Sequence, residues 1–218
     1  MPISHAHKAI FIHIPKTAGT SVEAVLGMHG GKQDIGVVPY FNQCIDYEHL
    51  YGGPLQHLTA QGIRQVLKDD SVFNAYFKFT IVRNPWDRLV SAIAWSDQKW
   101  ARGVHLSPVE FDQQVHMIHR MLQSGGNNGR GVDLPPYLYP QSLFVLGQDR
   151  TPMVDYVARY ETLPSDWRAI GEKLGVDVEL PTRMKSRHGN YRQYYTDRTR
   201  QIVGEMYAED VRAFQYAF

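Results

Sequence analysis

Phe11-Ile12-His13-Ile14-Pro15-Lys16-Thr17-Ala18-Gly19-Thr20-Ser21 joins an apolar strand to a short polar loop, and Val22-Glu23-Ala24-Val25-Leu26 follows at once as a helical run. Strand, loop and helix in that order build an anion cradle. Backbone amides at a helix N-terminus point at the ligand, and the helix dipole favours negative charge there. Lys16 adds a full positive charge. Thr17, Thr20 and Ser21 supply hydroxyls that donate to anionic oxygens. The loop is not a Walker A motif, which needs a Gly, four intervening residues, then Gly-Lys and a Ser or Thr. Here Lys16 precedes Gly19. Taken alone, the stretch is equally a βα turn that contains a lysine.

A second segment repeats the arrangement. Phe77 to Val82 reads as a strand, Arg83-Asn84-Pro85-Trp86-Asp87-Arg88 follows, and Leu89 to Trp95 continues as a helix. Asn84 is a good N-cap, Pro85 suits the first helical position, and Asp87 puts a carboxylate in the first turn. Trp86, Leu89, Val90 and Ile93 share an apolar face. Arg83 therefore stands at the carboxyl end of a strand, the edge where open α/β sheets bind ligands. Ser91 lies about two turns into the helix, a placement that lets it share an anion with Arg83. The alternatives are a surface ion pair of Arg83 with Asp87 and a solvated helix hydroxyl at Ser91. Two such units imply a ligand with two separate anionic groups.

Ile12 to Ser21 resembles the 5′-phosphosulfate loop of the carbohydrate-type (heparan- and chondroitin-type) sulfotransferases, and Phe79 to Ser91 resembles their 3′-phosphate segment. The likeness continues more weakly at Tyr139-Pro140-Gln141-Ser142, at Arg159 to Leu163 and through the last thirty or so residues. These enzymes use 3′-phosphoadenosine 5′-phosphosulfate (PAPS) and release adenosine 3′,5′-bisphosphate. The resemblance implies a three-layer, P-loop-like α/β fold, with a central, mainly parallel sheet flanked by helices. It also implies sulfuryl transfer to a hydroxyl of a glycan, glycolipid or small-molecule acceptor, with no divalent metal required. Lys16 would neutralise the leaving phosphate. Thr17, Ala18, Gly19, Thr20 and Ser21 would hold the 5′ end, and Arg83 and Ser91 the 3′-phosphate. In the resembled family a segment before the final helix closes over the nucleotide, which assigns Ser186 and Arg187 to the same ligand. A solvated cationic turn is the other reading of that segment.

Composition limits the alternatives. The chain has 218 residues, 43% hydrophobic and 21% charged, which fits one domain over residues 1–218 with a sizeable core. The net charge of +1 gives no global field toward nucleic acid or an anionic membrane. The single cysteine, Cys44, rules out an intrachain disulfide framework. Met1 to Lys8 are too few to form an apolar targeting core before the first strand, and no membrane span is evident. Animal members of the resembled family usually carry a membrane anchor and act in the Golgi, so the expectation here is a cytoplasmic enzyme. Oligomeric state is not legible.

Strands and helices alternate, as in α/β proteins. Ile10 to Ile14 is the first strand, and Tyr40 to Gln56 is an aromatic, His-bearing loop. Thr59 caps a helix over Ala60 to Leu67, and Ser107-Pro108-Val109-Glu110 is a capping-box signal for a helix carrying Phe111, Val115, Ile118 and Leu122. Ser124 to Pro136 is a Gly-rich loop. Ser142 to Leu146 and Val154 to Tyr160 read as strands, Ser165 to Leu174 as a helix ended by Gly175, and Thr196 as the cap of a final helix to about Tyr207.

Attack by an acceptor hydroxyl needs a general base, and histidine suits neutral pH. His57, in Gln56-His57-Leu58-Thr59-Ala60, resembles the position where many family members carry a His. His49 and Glu48 are the alternatives. His13 reads as a residue packed in the sheet. His116 and His119 share a helix face without a third ligand. Tyr191, Tyr194 and Tyr195 either stack on a sugar or base, or pack the tail. Two other classes compete: a nucleotide-dependent kinase, which would need magnesium, and a non-catalytic nucleotide- or glycan-binding module.

Overall fold

The computed structural model describes residues 3–28, 55–67, 70–96, 106–123, 135–181 and 188–218. They form two compact units, Met1–Val82 with Gln141–Met184, and Arg83–Pro140 with Lys185–Phe218. Each unit is assembled from separate stretches of chain, so no shift in composition along the sequence marks a boundary.

The first unit is built on a four-stranded sheet in the order β1 (Ile3–Ser4), β2 (Ala9–Ile12), β3 (Phe77–Val82), β4 (Tyr156–Arg159). β1 is antiparallel to β2, whereas β2, β3 and β4 run parallel, with Phe11 opposite Phe79 and Val82 opposite Arg159. This is the expected α/β architecture with a mainly parallel sheet. Helices α1 (Gly19–Val25), α2 (Ala60–Leu67), α3 (Asp70–Ala75), α6 (Ser142–Val145) and α7 (Leu163–Leu174) belong to this unit. Val22 of α1 and Trp167 and Ile170 of α7 pack on Phe11, Phe79 and Ala158. Ile10 and Ile12, on the opposite face of β2, are also fully buried. A parallel sheet hides both faces in this way, which explains the unbroken apolar run.

The second unit is helical: α4 (Pro85–Ser96), α5 (Pro108–Gln123), α8 (Asp197–Met206) and α9 (Ala208–Phe214), with 3-10 turns at Pro136–Leu138 and Tyr191–Tyr194. Trp86, Leu89, Val90 and Ile93 meet Phe111, Val115, Ile118, Ile202 and Val203 in its core. The caps form as read. Asn84 accepts from the amide of Trp86, Ser107 and Glu110 exchange backbone hydrogen bonds, and Thr196 and Thr199 form a capping box. Arg88 is the unexpected member: it is 1% exposed and donates to the carbonyls of Tyr139 and Tyr137 at 3.0 and 3.2 Å. A buried guanidinium needs such acceptors.

Several boundaries differ from the sequence reading. β2 stops at Ile12 rather than Ile14, because the Ile14 amide folds back to the Ile12 carbonyl at 3.1 Å and leaves the sheet ladder. Ser142 to Leu146 is a helical turn, α6, not a strand. Short apolar runs do not separate the two states by periodicity, and here Leu143 faces out while Phe144 and Val145 are buried. β4 shrinks to Tyr156–Arg159, and β1, α3 and α9 were not anticipated. Among the described residues, no helix is long and apolar enough to cross a membrane.

Candidate active site

Residues 13–18 connect β2 to α1, and their backbone is unusual. Lys16 and Ala18 have φ of 72° and 73°, in the left-handed region, although neither is glycine. Each such residue costs on the order of 1–2 kcal/mol. Thr17 between them keeps the ordinary sign. Alternation of hand along successive residues turns their amides toward one side, forming a concave nest for an anion. No side chain caps α1 at Ala18. The loop also alternates in exposure. Thr17, Gly19 and Ser21 are buried, Lys16 and Ala18 are half-buried, and Thr20 is exposed. The buried Thr17 hydroxyl donates to the Ile14 carbonyl at 2.8 Å, so it staples the loop, and its natural contribution to a ligand is its amide.

The loop rests on a buried polar cluster. His13, 4% exposed, directs Nδ1 at Glu23 Oε1 over 2.7 Å, and its ring fills the space beside Gly19 that a Cβ would occupy. Gly19 is therefore required for close approach, independently of any ligand. Glu23, also 4% exposed, accepts a second hydrogen bond from Gln56 Nε2 at 2.6 Å. His57, on the 3-10 turn Leu55–His57, places Nδ1 3.0 Å from the His13 carbonyl oxygen, with the two rings edge to face at 4.5 Å. A carbonyl only accepts, so Nδ1 carries the proton. Neutral His57 then holds its lone pair on Nε2, as a general base requires.

In the second unit, Arg83 is 4% exposed. Its Nε donates to Asp87 Oδ2 at 2.7 Å and its Nη2 donates to His188 Nε2 at 3.2 Å. His188 Nδ1 lies 2.9 Å from the Gly189 carbonyl, which leaves Nε2 as the acceptor. The Asp87 pair anticipated for Arg83 is real, but it is sequestered rather than a solvated surface contact. Two partners fix the guanidinium plane. Ser91 is buried on α4 at 2% exposure, not solvated.

Residues 1–98 match the profile of the Sulfotransferase family. That stretch holds the Lys16 loop, His57, Arg83 and Ser91. The first 98 residues are thus similar to that family. Carbohydrate sulfotransferase 10 of Xenopus laevis is 34% identical over 91 residues, covering 41% of this chain and 24% of that protein. Carbohydrate sulfotransferase 10 of Danio rerio is 37% identical over 87 residues, covering 39% of this chain and 22% of its own length. The matched stretches span about a quarter of the length of these curated relatives. No solved structure gives a match to the chain.

Within the matched stretch, sequence reasoning picked out the loop and His57 but missed Glu23, Gln56 and the role of His13. The available signal was spacing: Glu23 is one helical turn after Gly19, on the face that the His13 ring meets. Beyond that stretch, His188 was missed as the second partner of Arg83. His49, Glu48, Cys44, Ser186 and Arg187 lie outside the described residues. Tyr191 packs on Phe218 and Tyr194 and Tyr195 pack on Phe111, so these aromatics secure the tail. His116 pairs with Asp112 at 3.8 Å, and His119 contacts Gln123 along the same helix.

Proposed function

We propose that this chain transfers a sulfuryl group from PAPS to a hydroxyl of a glycan or glycoconjugate. The observation that carries the reading is the left-handed Lys16–Ala18 nest, set on the same buried cluster that fixes the tautomer of His57. The family match and the two curated carbohydrate sulfotransferases support the same class.

In this scheme the loop amides and Lys16 hold the 5′-phosphosulfate. The acceptor oxygen attacks sulfur in line, and its proton passes to Nε2 of His57. The bond from sulfur to the bridging oxygen breaks, and the leaving phosphate keeps the electron pair. Lys16 neutralises the charge that gathers there, so positioning and electrostatics supply most of the rate. Arg83 and Ser91 bind the 3′-phosphate, which distinguishes PAPS from a donor lacking that group. The scheme calls for no divalent metal.

The test is release of adenosine 3′,5′-bisphosphate from PAPS in the presence of candidate glycan acceptors, with and without magnesium. Turnover that survives chelation and falls by about 10²–10⁴ in His57→Ala supports the reading. Magnesium-dependent transfer of phosphate from ATP would replace it with a kinase.

A further inference from the structure

The four polar residues under the loop form a closed circuit. His57 is tied to the His13 carbonyl, His13 to Glu23, Glu23 to Gln56, and Gln56 is the chain neighbour of His57. Glu23 is the hub. Its two carboxylate oxygens accept from two different donors, and its side chain is 5% exposed. A carboxylate buried this deeply is held in place by both donors, because leaving either oxygen without a partner is expensive. One end of the circuit anchors the ring on whose backbone His57 leans, and the other anchors the turn that carries His57.

We propose that Glu23 is the positioning residue for His57. It touches neither donor nor acceptor, and acts by holding Nδ1 of His57 on the His13 carbonyl so that the lone pair stays on Nε2 and faces one way. The inference rests on His57 being the base of the sulfuryl transfer, and it can be tested apart from that reading.

Glu23→Gln keeps the shape but not the pattern. An amide accepts at one atom and donates at the other, so one of the two donors now faces an N–H. Gln56→Glu alone sets two carboxylates against each other. The double swap Glu23→Gln/Gln56→Glu restores a donor facing an acceptor at both contacts, with the amide carbonyl at 23 accepting from His13. Imidazole ¹⁵N shifts of the full chain report the tautomer directly, and PAPS turnover reports the consequence.

The expected result has three parts. His57 is Nδ1-protonated in the wild type, loses that preference in Glu23→Gln and regains it in the double swap. Turnover falls by about tenfold to a hundredfold in the single variant and recovers in the double. In a His57→Ala background, Glu23→Gln has no further effect on turnover. An unchanged His57 tautomer in Glu23→Gln overturns the proposal, as does an equal loss of turnover with and without His57. If no variant, the wild type included, consumes PAPS, the sulfotransfer reading fails instead, and the ¹⁵N shifts still decide whether Glu23 orients His57.

Discussion

The imidazole of His13 occupies the space that a side chain at Gly19 would need, so the end of β2 and the start of α1 meet with no room to spare. Gly19→Ala overlaps a ring that Glu23 holds in place. Overpacking of this kind destabilises by about 1–3 kcal/mol. The destabilisation, read from denaturant midpoints, is expected to shrink sharply when His13→Ala is introduced as well. Equal loss in both backgrounds would show that the ring is not what Gly19 accommodates.

Lys16 combines charge with a left-handed backbone, and the two separate by substitution. Lys16→Met and Lys16→Gly both remove the ammonium and are expected to lose about 10²–10³ in turnover. Lys16→Gly, which adopts φ of 72° without strain, is expected to be more stable than Lys16→Met by about 1 kcal/mol. Thermal unfolding of the two variants decides the second half; PAPS turnover decides the first.

The sequence yielded the helix starts because capping and proline chemistry are local. Asn84, Ser107 and Thr196 need only their neighbours to act as caps, and each does. The first parallel strand was legible because two-sided burial favours continuous apolar runs such as Ala9 to Ile12. Legibility failed where a partner is distant in sequence. Glu23 gains its meaning from Gln56, 33 residues on, and Arg83 gains half of its orientation from His188, 105 residues on. The burial of Arg88 was not legible because the carbonyls it donates to, those of Tyr137 and Tyr139, lie 49 and 51 residues on. Ser142 to Leu146 failed for a different reason: four or five apolar residues fit a strand or a helical turn equally well.

Arg83→Lys keeps the charge and loses the planar fork. Asp87 and His188 hold separate nitrogens of that fork, at 2.7 and 3.2 Å, and an ammonium cannot reproduce both contacts. The preference for adenosine 3′,5′-bisphosphate over AMP is expected to fall by about tenfold or more in this variant. Calorimetric titration with both nucleotides measures it.

Burial pushes the Tyr207 hydroxyl up to about 12, against the pull of Arg88 and with the push of Asp210. An unfolded tyrosine ionises near ~10, so the unfolded chain releases its proton first as pH rises. The contribution of this group is complete below about pH 10 and is lost as pH rises through about 12. Tyr207→Phe gives up the hydrogen bond to the Leu138 carbonyl at 2.9 Å, about 1 kcal/mol at neutral pH. The stability gap between wild type and variant is therefore expected to narrow between about pH 10 and 12. Urea midpoints collected across that range test the sign.

The most direct measurement is calorimetric binding of adenosine 3′,5′-bisphosphate, AMP and magnesium ATP to the wild type, Lys16→Met and Arg83→Lys. The expected result is that the bisphosphate binds tightest, that Lys16→Met weakens the bisphosphate and AMP alike, and that Arg83→Lys weakens the bisphosphate alone. Equal affinity for bisphosphate and AMP, or tightest binding of magnesium ATP, would contradict the assignment of Lys16 and Arg83 to the two ends of one doubly charged adenosine donor.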